Sequence, residues 1–252
     1  MDCSLYYDKV GVKERLERDM IRFQQTFPHI LTEGSLLDVG CGPGAWLNYV
    51  SEITDLVLSG MDISKVRLSH AIELLEDKAI NLSIGDIRHL PFTDNQFTQT
   101  TAMEVIEHIP EWQVALSEII RVSSDRIVIT VPYKERLKSE TCDNCGSEAY
   151  LSGHLHSFTE KDFQYLSADC RISFEMLPPQ YGLNHYVKRA ISGVIRKTTS
   201  NFSERENGHS LSTVCQNCYE EVPYTKYAER AIQRLERIIK RTPEYLLIKI
   251  EK

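Results

Sequence analysis

The sequence predicts a doubly wound α/β fold, in which helices cover both faces of a seven-stranded, mostly parallel sheet. Five apolar segments typical of strands alternate with helical segments between residues 35 and 132. The first strand leads directly into a glycine-rich turn and then a helix, which is an arrangement that binds polar ligands at the carboxyl edge of a parallel sheet. Two further strand signals follow residue 170, with a long insertion between them.

Composition and charge narrow the class of protein. A chain of 252 residues with 42% hydrophobic content can bury one sizeable core. Its formal net charge of −7 argues against a protein whose whole surface binds nucleic acid. No apolar run is long enough to span a membrane, and the segment Met1–Lys9 lacks the cationic and apolar regions of a signal sequence. We therefore expect a cytoplasmic protein without a membrane span.

The order of elements follows from apolar periodicity and capping residues. Strands are predicted at 36–39, 55–61, 80–84, 97–102, 126–131, 171–176 and 244–250. Helices are predicted at 12–27, 45–50, 65–78, 112–122, 160–166, 185–197 and 224–241, with Ser64 and Thr159 as N-caps. The chain then divides into an N-terminal helical segment (1–34), a ligand-binding core (35–132), a first cysteine loop (133–157), a core helix and sixth strand (158–176), a helical insertion (177–243) and a final strand (244–252).

The glycine turn has the form Asp-x-Gly-x-Gly-x-Gly from Asp38 to Gly44. Glycine tolerates backbone angles that a Cβ atom forbids, and it lets a ligand approach the main chain closely. Dinucleotide-binding folds place a G-x-G-x-x-G turn at the same point, but the glycines here alternate and Pro43 interrupts that spacing. The turn therefore predicts a polar ligand other than NAD.

At these residues the chain resembles the class I S-adenosylmethionine-dependent methyltransferases, and the resemblance extends from about Ser35 to Pro132. Asp62, roughly 20 positions beyond the turn, fits a carboxylate that accepts hydrogen bonds from both ribose hydroxyls. The resemblance implies that Asp86 binds the adenine amino group, that the Ile87 backbone meets an adenine ring nitrogen, and that Met103 begins the segment beneath the methionine part. The expected S-adenosylmethionine contacts are Asp38, Gly40, Cys41, Gly42, Gly44, Asp62, Ile63, Asp86, Ile87 and Met103, and the Cys41 side chain is expected to be incidental.

Four of the seven cysteines form two C-x-x-C pairs, Cys142 with Cys145 and Cys215 with Cys218. Such pairs in an intracellular protein indicate metal rather than disulfides. The first pair follows strand five and the second lies in the insertion after strand six, so both leave the carboxyl edge if strand six is parallel. We therefore predict one shared zinc site, structural because four thiolates fill the tetrahedral shell. A Cys₃His site that uses His154 or His156 is the alternative.

Methyl transfer requires an acceptor held in line with the methyl group and, for some acceptors, a base. The candidate catalytic bases are His108 and His154, with His156 as a further candidate, and each could instead only hydrogen-bond the backbone. The Asn/Asp-Pro-Pro-Tyr segment of many amino-methylating enzymes is absent after strand four. This favours an oxygen or another nitrogen on a small molecule or saccharide.

Two other functions stay open. The insertion carries basic residues that could contact RNA phosphates, although they alternate with apolar residues as on a solvated helix face; they are Lys188, Arg189, Arg196, Lys197, Arg230, Arg234, Arg237, Lys240 and Arg241. The other possibility is a non-catalytic binding module that recruits partners through its zinc loops. The intact Asp38, Asp62 and Asp86 argue against loss of cofactor binding.

Overall fold

The computed structural model describes residues 3–10, 16–150, 152–177, 212–214, 216–219, 221–223 and 245–252. The helices predicted at 185–197 and 224–241, the cysteine at 215 and the basic residues of the insertion lie outside these ranges.

Within the described chain, seven strands form the main sheet and four short strands form two hairpins. The main-sheet strands are β1 (Ser35–Val39), β2 (Val57–Asp62), β3 (Asn81–Ile84), β4 (Phe97–Met103), β5 (Ser123–Pro132), β8 (Arg171–Leu177) and β11 (Tyr245–Glu251). The hairpin strands are β6 (Ser139–Thr141), β7 (Glu148–Tyr150), β9 (Ser212–Val214) and β10 (Glu221–Pro223). The helices are α1 (Cys3–Val10), α2 (Leu16–Thr26), α3 (Ala45–Ser51), α4 (Lys65–Leu74) and α5 (Trp112–Val122).

The main sheet has the order β3-β2-β1-β4-β5-β11-β8. The pairs β2–β3, β1–β2, β1–β4 and β4–β5 are parallel, while β11 is antiparallel to both β5 and β8. Strand β8 therefore runs in the same direction as β5, and only β11 is reversed among these seven. This confirms the predicted seven-stranded, mostly parallel, Rossmann-like sheet. The strand order reverses between β1 and β4, so the ligand crevice lies at their carboxyl ends.

The core lies on both faces of the sheet, as a parallel sheet requires. Leu36 packs into the cluster on one face of β1, whereas Leu37 packs into the cluster on the other. Helix α5 buries five apolar side chains at helical spacing, namely Trp112, Ala115, Leu116, Ile119 and Val122. This burial fixes α5 against β4 and β5, and thereby fixes the turn between β4 and α5.

Several predicted elements differ from the structure in type or extent; for example, α4 ends at Leu74 and not at residue 78, and α1 was not predicted. The segment after Thr159 forms two short 3-10 helices, Glu160–Asp162 and Gln164–Ala168, instead of one α-helix. The Asp162 carboxylate accepts hydrogen bonds from the Thr159 backbone N–H (2.7 Å) and hydroxyl (2.9 Å), which closes a tight first turn. Strand β5 begins at Ser123, three positions before its predicted start, because Ser123 already pairs with Phe97 of β4. None of the described helices combines the length and apolar character needed to cross a membrane.

Candidate cofactor and acceptor site

The glycine turn joins β1 to α3 with all three of its glycines in the left-handed region. Their φ angles are 72° at Gly40, 54° at Gly42 and 82° at Gly44. A Cβ atom on Gly40 would lie 2.6 Å from a methyl carbon of Val105, in the turn after β4. At Gly42, by contrast, no described atom lies within 4 Å of the Cβ position. The turn is thus pressed against the β4 turn on one side and open at Gly42, where a ligand can approach the main chain.

Asp62, at the end of β2, ties the glycine turn to the neighbouring helix. One carboxylate oxygen accepts a hydrogen bond from the Gly42 N–H at 2.8 Å, and the other accepts one from the Ser64 N–H at 2.8 Å. Each oxygen keeps a further lone pair for another donor. Ser64 in turn caps α4 by accepting from the Arg67 N–H, as predicted. The carboxylate therefore orders the turn and can still accept hydrogen bonds from a ligand.

Asp38 is buried at the end of β1 and joined to β4 and α3 by a chain of hydrogen bonds. The Thr101 hydroxyl donates to Asp38 at 2.7 Å and accepts from the Trp46 indole N–H at 3.1 Å. The pKa of Asp38 is raised from 3.8 to about 7, chiefly by burial; the Thr101 hydrogen bond opposes this rise and the nearby charge of Asp62 adds to it. A buried carboxylate of this kind is complementary to a cationic ligand group.

Asp86 follows β3 and is held by Arg88. The Arg88 guanidinium donates to both carboxylate oxygens at 2.7–3.1 Å, and its backbone N–H donates at 2.9 Å. Burial alone would raise the pKa of Asp86, but these hydrogen bonds outweigh it and the pKa is lowered. The carboxylate that was predicted to bind adenine is thus oriented by Arg88. Ile87, next to it, is buried in the core.

The turn after β4 carries two acidic side chains, Glu104 and Glu107. Glu104 follows Met103 and adopts a φ of 59°, an uncommon conformation outside glycine. Glu107 is 0% exposed, and neither of its carboxylate oxygens has a hydrogen-bond partner among the described residues. Burial and then the charge of Glu104 raise the pKa of Glu107 well above its ordinary value. A buried carboxylate without hydrogen bonds is energetically costly.

Two histidines lie beside Glu107. The His108 Nε2 atom is 4.0 Å from a Glu107 oxygen, while its Nδ1 atom lies 3.0 Å from the Gly153 carbonyl oxygen. The His154 ring stacks edge-on against His108 with centroids 4.6 Å apart, and its Nδ1 atom contacts the Glu135 carboxylate. His156 points elsewhere, with Nε2 at 3.0 Å from the Ile109 carbonyl oxygen. His108 and His154 therefore converge, whereas His156 fixes the loop.

Helix α1 covers this region. Tyr6 and Tyr7 are buried and pack with Ile63, the residue after Asp62. The Tyr7 ring meets His108 edge-on at 5.7 Å and lies 4.6 Å from the Arg67 guanidinium carbon. Asp8 accepts a hydrogen bond from the Ser64 hydroxyl at 2.6 Å. One short helix thus bridges the predicted ribose side of the crevice and the histidine pair.

The described cysteines of the two pairs meet. The Sγ atoms of Cys142, Cys145 and Cys218 all lie within 4.8 Å of one another, and those of Cys142 and Cys218 are 3.4 Å apart. Neighbouring sulfur atoms around a tetrahedral zinc, with bonds of about 2.3 Å, lie about 3.8 Å apart. The donor set and its spacing therefore suit zinc with only small adjustments.

The two cysteine turns share a backbone feature and are joined by a side chain. The residue after each pair, Gly146 or Tyr219, has positive φ, at 72° and 61° respectively. The Gln216 amide accepts a hydrogen bond from the Tyr150 N–H at 2.9 Å and donates one to the Tyr150 carbonyl at 3.0 Å. Tyr219 also packs against Tyr6 and Tyr7 of α1. The cysteine cluster is thus connected to the helix that covers the crevice.

The structure brings together the predicted glycine turn, Asp62, Met103 and His108 at the carboxyl edge, with Asp86 after the next strand. The Cys41 side chain lies in the core beside Gly60, and burial raises the pKa of its thiol, so Cys41 lines the turn through its backbone. Sequence reasoning did not single out Glu107, Glu135 or Gln216. Glu107 had a detectable signal, since it directly precedes a candidate histidine, whereas Glu135 and Gln216 act through tertiary contacts.

Comparison with known proteins agrees with this geometry. Residues 37–126 match the protein family described as "Methyltransferase domain". A sterol 24-C-methyltransferase from Schizosaccharomyces pombe is 34% identical over 91 residues, which cover 34% of this chain and 24% of the yeast protein. The chain therefore spans about a quarter of the length of this relative, and the similarity concerns the domain.

Solved structures share the fold over a longer range. Phosphoethanolamine N-methyltransferase 2 of Haemonchus contortus, in complex with S-adenosyl-L-methionine, has a TM-score of 0.60 at 17% identity, covering 100% of this chain and 57% of that protein. The [4+2]-cyclase SpnF has a TM-score of 0.60 at 18% identity, covering 92% of this chain and 79% of SpnF. At these identities the likeness concerns the fold, and a fold alone does not determine the reaction.

Proposed function

We propose that this chain is an S-adenosylmethionine-dependent methyltransferase, because residues 37–126 match the family described as "Methyltransferase domain". Its acceptor is a small molecule or a saccharide, and a structural zinc holds together the loops that cover the acceptor. The observation that carries the proposal is the open main chain at Gly42, tied to Asp62 and directly beside the β4 turn with its histidine pair.

The cofactor side is formed by the ends of β1, β2 and β3. When bound, S-adenosylmethionine supplies an activated methyl group on a sulfonium sulfur. Gly42 offers room for close approach, Asp62 accepts hydrogen bonds from the ribose, and Asp86 accepts one from the adenine amino group. The buried carboxylate of Asp38 contributes negative charge toward the cationic part of the cofactor.

The acceptor side is formed by the β4 turn, the loop at 153–156 and α1. His108 and His154 are the groups that can accept a proton from the acceptor, because the Nδ1 atom of each is already held by an oxygen of the protein. The buried rings of Tyr6 and Tyr7 exclude water above them. Precise positioning of the acceptor against the methyl group is the main catalytic contribution expected of these residues.

The zinc site organises the cover of the acceptor. Cys142, Cys145 and Cys218, together with the cysteine at 215, supply four thiolates, which leave no open coordination position for chemistry. Reduced cysteines that bind metal fit the cytoplasm. In this proposal residues 35–132 are the cofactor-binding core, while 133–157 and 177–243 are the zinc-bearing additions.

A screen with S-adenosylmethionine labelled on its methyl group tests the proposal. The wild type should transfer label to at least one acceptor pool, and Asp62→Ala should lose about 1.5–3 kcal/mol of cofactor affinity, as expected for hydrogen bonds to a charged group. Asp77→Ala, which removes an exposed carboxylate of the same type, is the matched control and should change neither cofactor affinity nor methyl transfer. Tight binding of NAD, or cofactor binding without transfer to any pool, would contradict the proposed activity.

A further inference from the structure

We infer that Glu107, His108 and His154 form a second divalent-cation site, separate from the thiolate site and facing the acceptor. One ligand atom from each of the three residues lies within 4.8 Å of the other two. Two imidazole nitrogens and one carboxylate oxygen at this spacing can bind a single ion and leave coordination positions open.

The environment of Glu107 points to a missing cation. Its side chain is fully buried, yet neither oxygen has a hydrogen-bond partner within the described part of the chain. The nearby Glu104 adds a second negative charge. An unpaired buried carboxylate next to another acidic group is unfavourable unless a positive charge compensates for it. A divalent cation bound by Glu107 supplies that charge.

Both histidines are oriented as metal ligands. A carbonyl oxygen can only accept, so the contact of His108 Nδ1 with the Gly153 carbonyl places the ring proton on Nδ1 and the lone pair on Nε2. The same argument applies to His154, whose Nδ1 atom contacts the Glu135 carboxylate. Metal-binding histidines commonly donate the second ring N–H to a carbonyl or carboxylate in this way, which fixes the ring and raises its basicity.

The backbone holds the two segments of the site together. The Glu107 carbonyl accepts hydrogen bonds from the N–H groups of Leu155, at 2.8 Å, and His156, at 3.2 Å. His154 is therefore anchored beside Glu107 independently of any metal. The geometry is built into the fold, as a preorganised metal site requires.

The ligand types select the ion. Imidazole and carboxylate ligands suit Mn²⁺, Fe²⁺, Co²⁺ and Zn²⁺, whereas the thiolate cluster favours zinc. The open positions can accept an oxygen of the acceptor and lower the pKa of its hydroxyl, which then releases its proton to solvent before the methyl group is transferred. This last step depends on the proposed methyltransferase function, and in it the histidines serve as ligands instead of bases. The metal site therefore favours an acceptor that is methylated on oxygen.

Binding of Mn²⁺, measured by electron paramagnetic resonance without cofactor or acceptor, tests the site independently of activity. Protein stripped of metal and reloaded with one equivalent of Zn²⁺, which the thiolates take first, should bind one Mn²⁺ per chain. Glu107→Gln and His154→Ala should abolish saturable binding. Glu135→Gln, which removes the negative charge of the group that orients His154, should weaken Mn²⁺ binding about 10–100-fold.

Matched controls separate this site from the thiolate cluster and from loss of fold. His89→Ala, an exposed histidine, should leave Mn²⁺ binding unchanged. When metal-free protein is titrated with Co²⁺, the first equivalent should give the thiolate charge-transfer absorption. The second equivalent should add visible absorption bands of Co²⁺ with no further charge-transfer absorption. If the wild type binds no Mn²⁺, the inference is wrong. It is also wrong if Glu107→Gln and His154→Ala retain saturable Mn²⁺ binding and have the same melting temperature as the wild type. If Glu107→Gln fails to fold, His154→Ala and Glu135→Gln decide between the same outcomes.

Discussion

The sulfur atoms of Cys142 and Cys218 lie 3.4 Å apart, although 76 positions separate them in the sequence. Cys142 is 2% exposed, and the hairpin that carries it is hydrogen-bonded to the second cysteine turn through the Gln216 side chain. Two distant segments thus share one cluster, to which the first contributes the sulfur atoms of Cys142 and Cys145 and the second that of Cys218.

Loss of a cysteine from either segment should therefore have the same effect on metal content. Cys142→Ser and Cys218→Ser should each lose the thiolate-bound zinc, measured by elemental analysis and by the thiolate charge-transfer absorption after Co²⁺ substitution. Cys170→Ser, outside the cluster, is the matched control and should retain it. Retention of zinc in one of the two cluster variants would mean that the segments do not share a site.

Loss of the thiolate zinc should affect acceptor positioning more than cofactor affinity. The proposed cofactor contacts lie at the ends of β1 to β4, whereas the cysteine turns reach the crevice through Tyr219 and α1. In Cys218→Ser we expect nearly unchanged S-adenosylmethionine affinity by calorimetry, and a fall in methyl transfer on the order of 100-fold from misplacement of the acceptor.

Limited proteolysis provides a second measure for the same variant. Cleavage should increase between Lys134 and Gly153 or between residues 201 and 221, since loops released from a metal are the preferred sites of attack. A variant that loses affinity and transfer in equal proportion would instead show that the zinc supports the entire fold.

Asp38 should make the folded protein less stable as the pH rises. Its pKa is raised from 3.8 to about 7, so the folded state binds this proton more tightly than the unfolded state does. The contribution of Asp38 to the free energy of unfolding therefore falls between about pH 4 and pH 7 and is constant above, a change of on the order of a few kcal/mol. Chemical denaturation at pH 5 and pH 8 measures it.

Asp38→Asn should remove this contribution to the pH dependence. Between pH 5 and pH 8 the variant should therefore lose less free energy of unfolding than the wild type does. Asp77→Asn changes the same functional group at an exposed position and should keep the wild-type slope. An identical pH dependence in Asp38→Asn and the wild type would show that Asp38 is already ionised in the folded protein at pH 5.

Gly153 and Gly146 offer a matched test of the contact between α1 and the histidine loop. Both have nearly equal positive φ, at 75° and 72°, so alanine at either position should cost about 1–2 kcal/mol of stability from the backbone alone. At Gly153 the added Cβ would also overlap the Tyr6 hydroxyl, whereas at Gly146 no described atom lies within 4 Å. Gly153→Ala should thus be the more destabilising in thermal denaturation. Equal losses of stability in the two variants would indicate that α1 moves away from the added methyl group at no energetic cost.

The sequence alone determined the doubly wound sheet and the position of the ligand turn. Local signals suffice for these features, because apolar periodicity indicates strands and helices and because alternating glycines from Gly40 to Gly44 allow the positive φ angles of a tight turn. The end of β2 at Asp62 and the Ser64 cap were predictable for the same reason. The segment after Thr159 was predicted as one helix but forms two short 3-10 helices, because its capping box is compatible with either kind of helix and does not by itself distinguish them.

The tertiary structure decided which distant side chains meet. The sequence offered three histidines as equivalent candidates, and only the packing of residues 153–156 on the Glu107 carbonyl turns His154 toward His108 and His156 away from it. The burial of Glu107 and its lack of a hydrogen-bond partner among the described residues are likewise properties of three dimensions, since they depend on what surrounds the β4 turn. Local sequence specifies the backbone, but desolvation and long-range contacts determine the chemical state of each side chain.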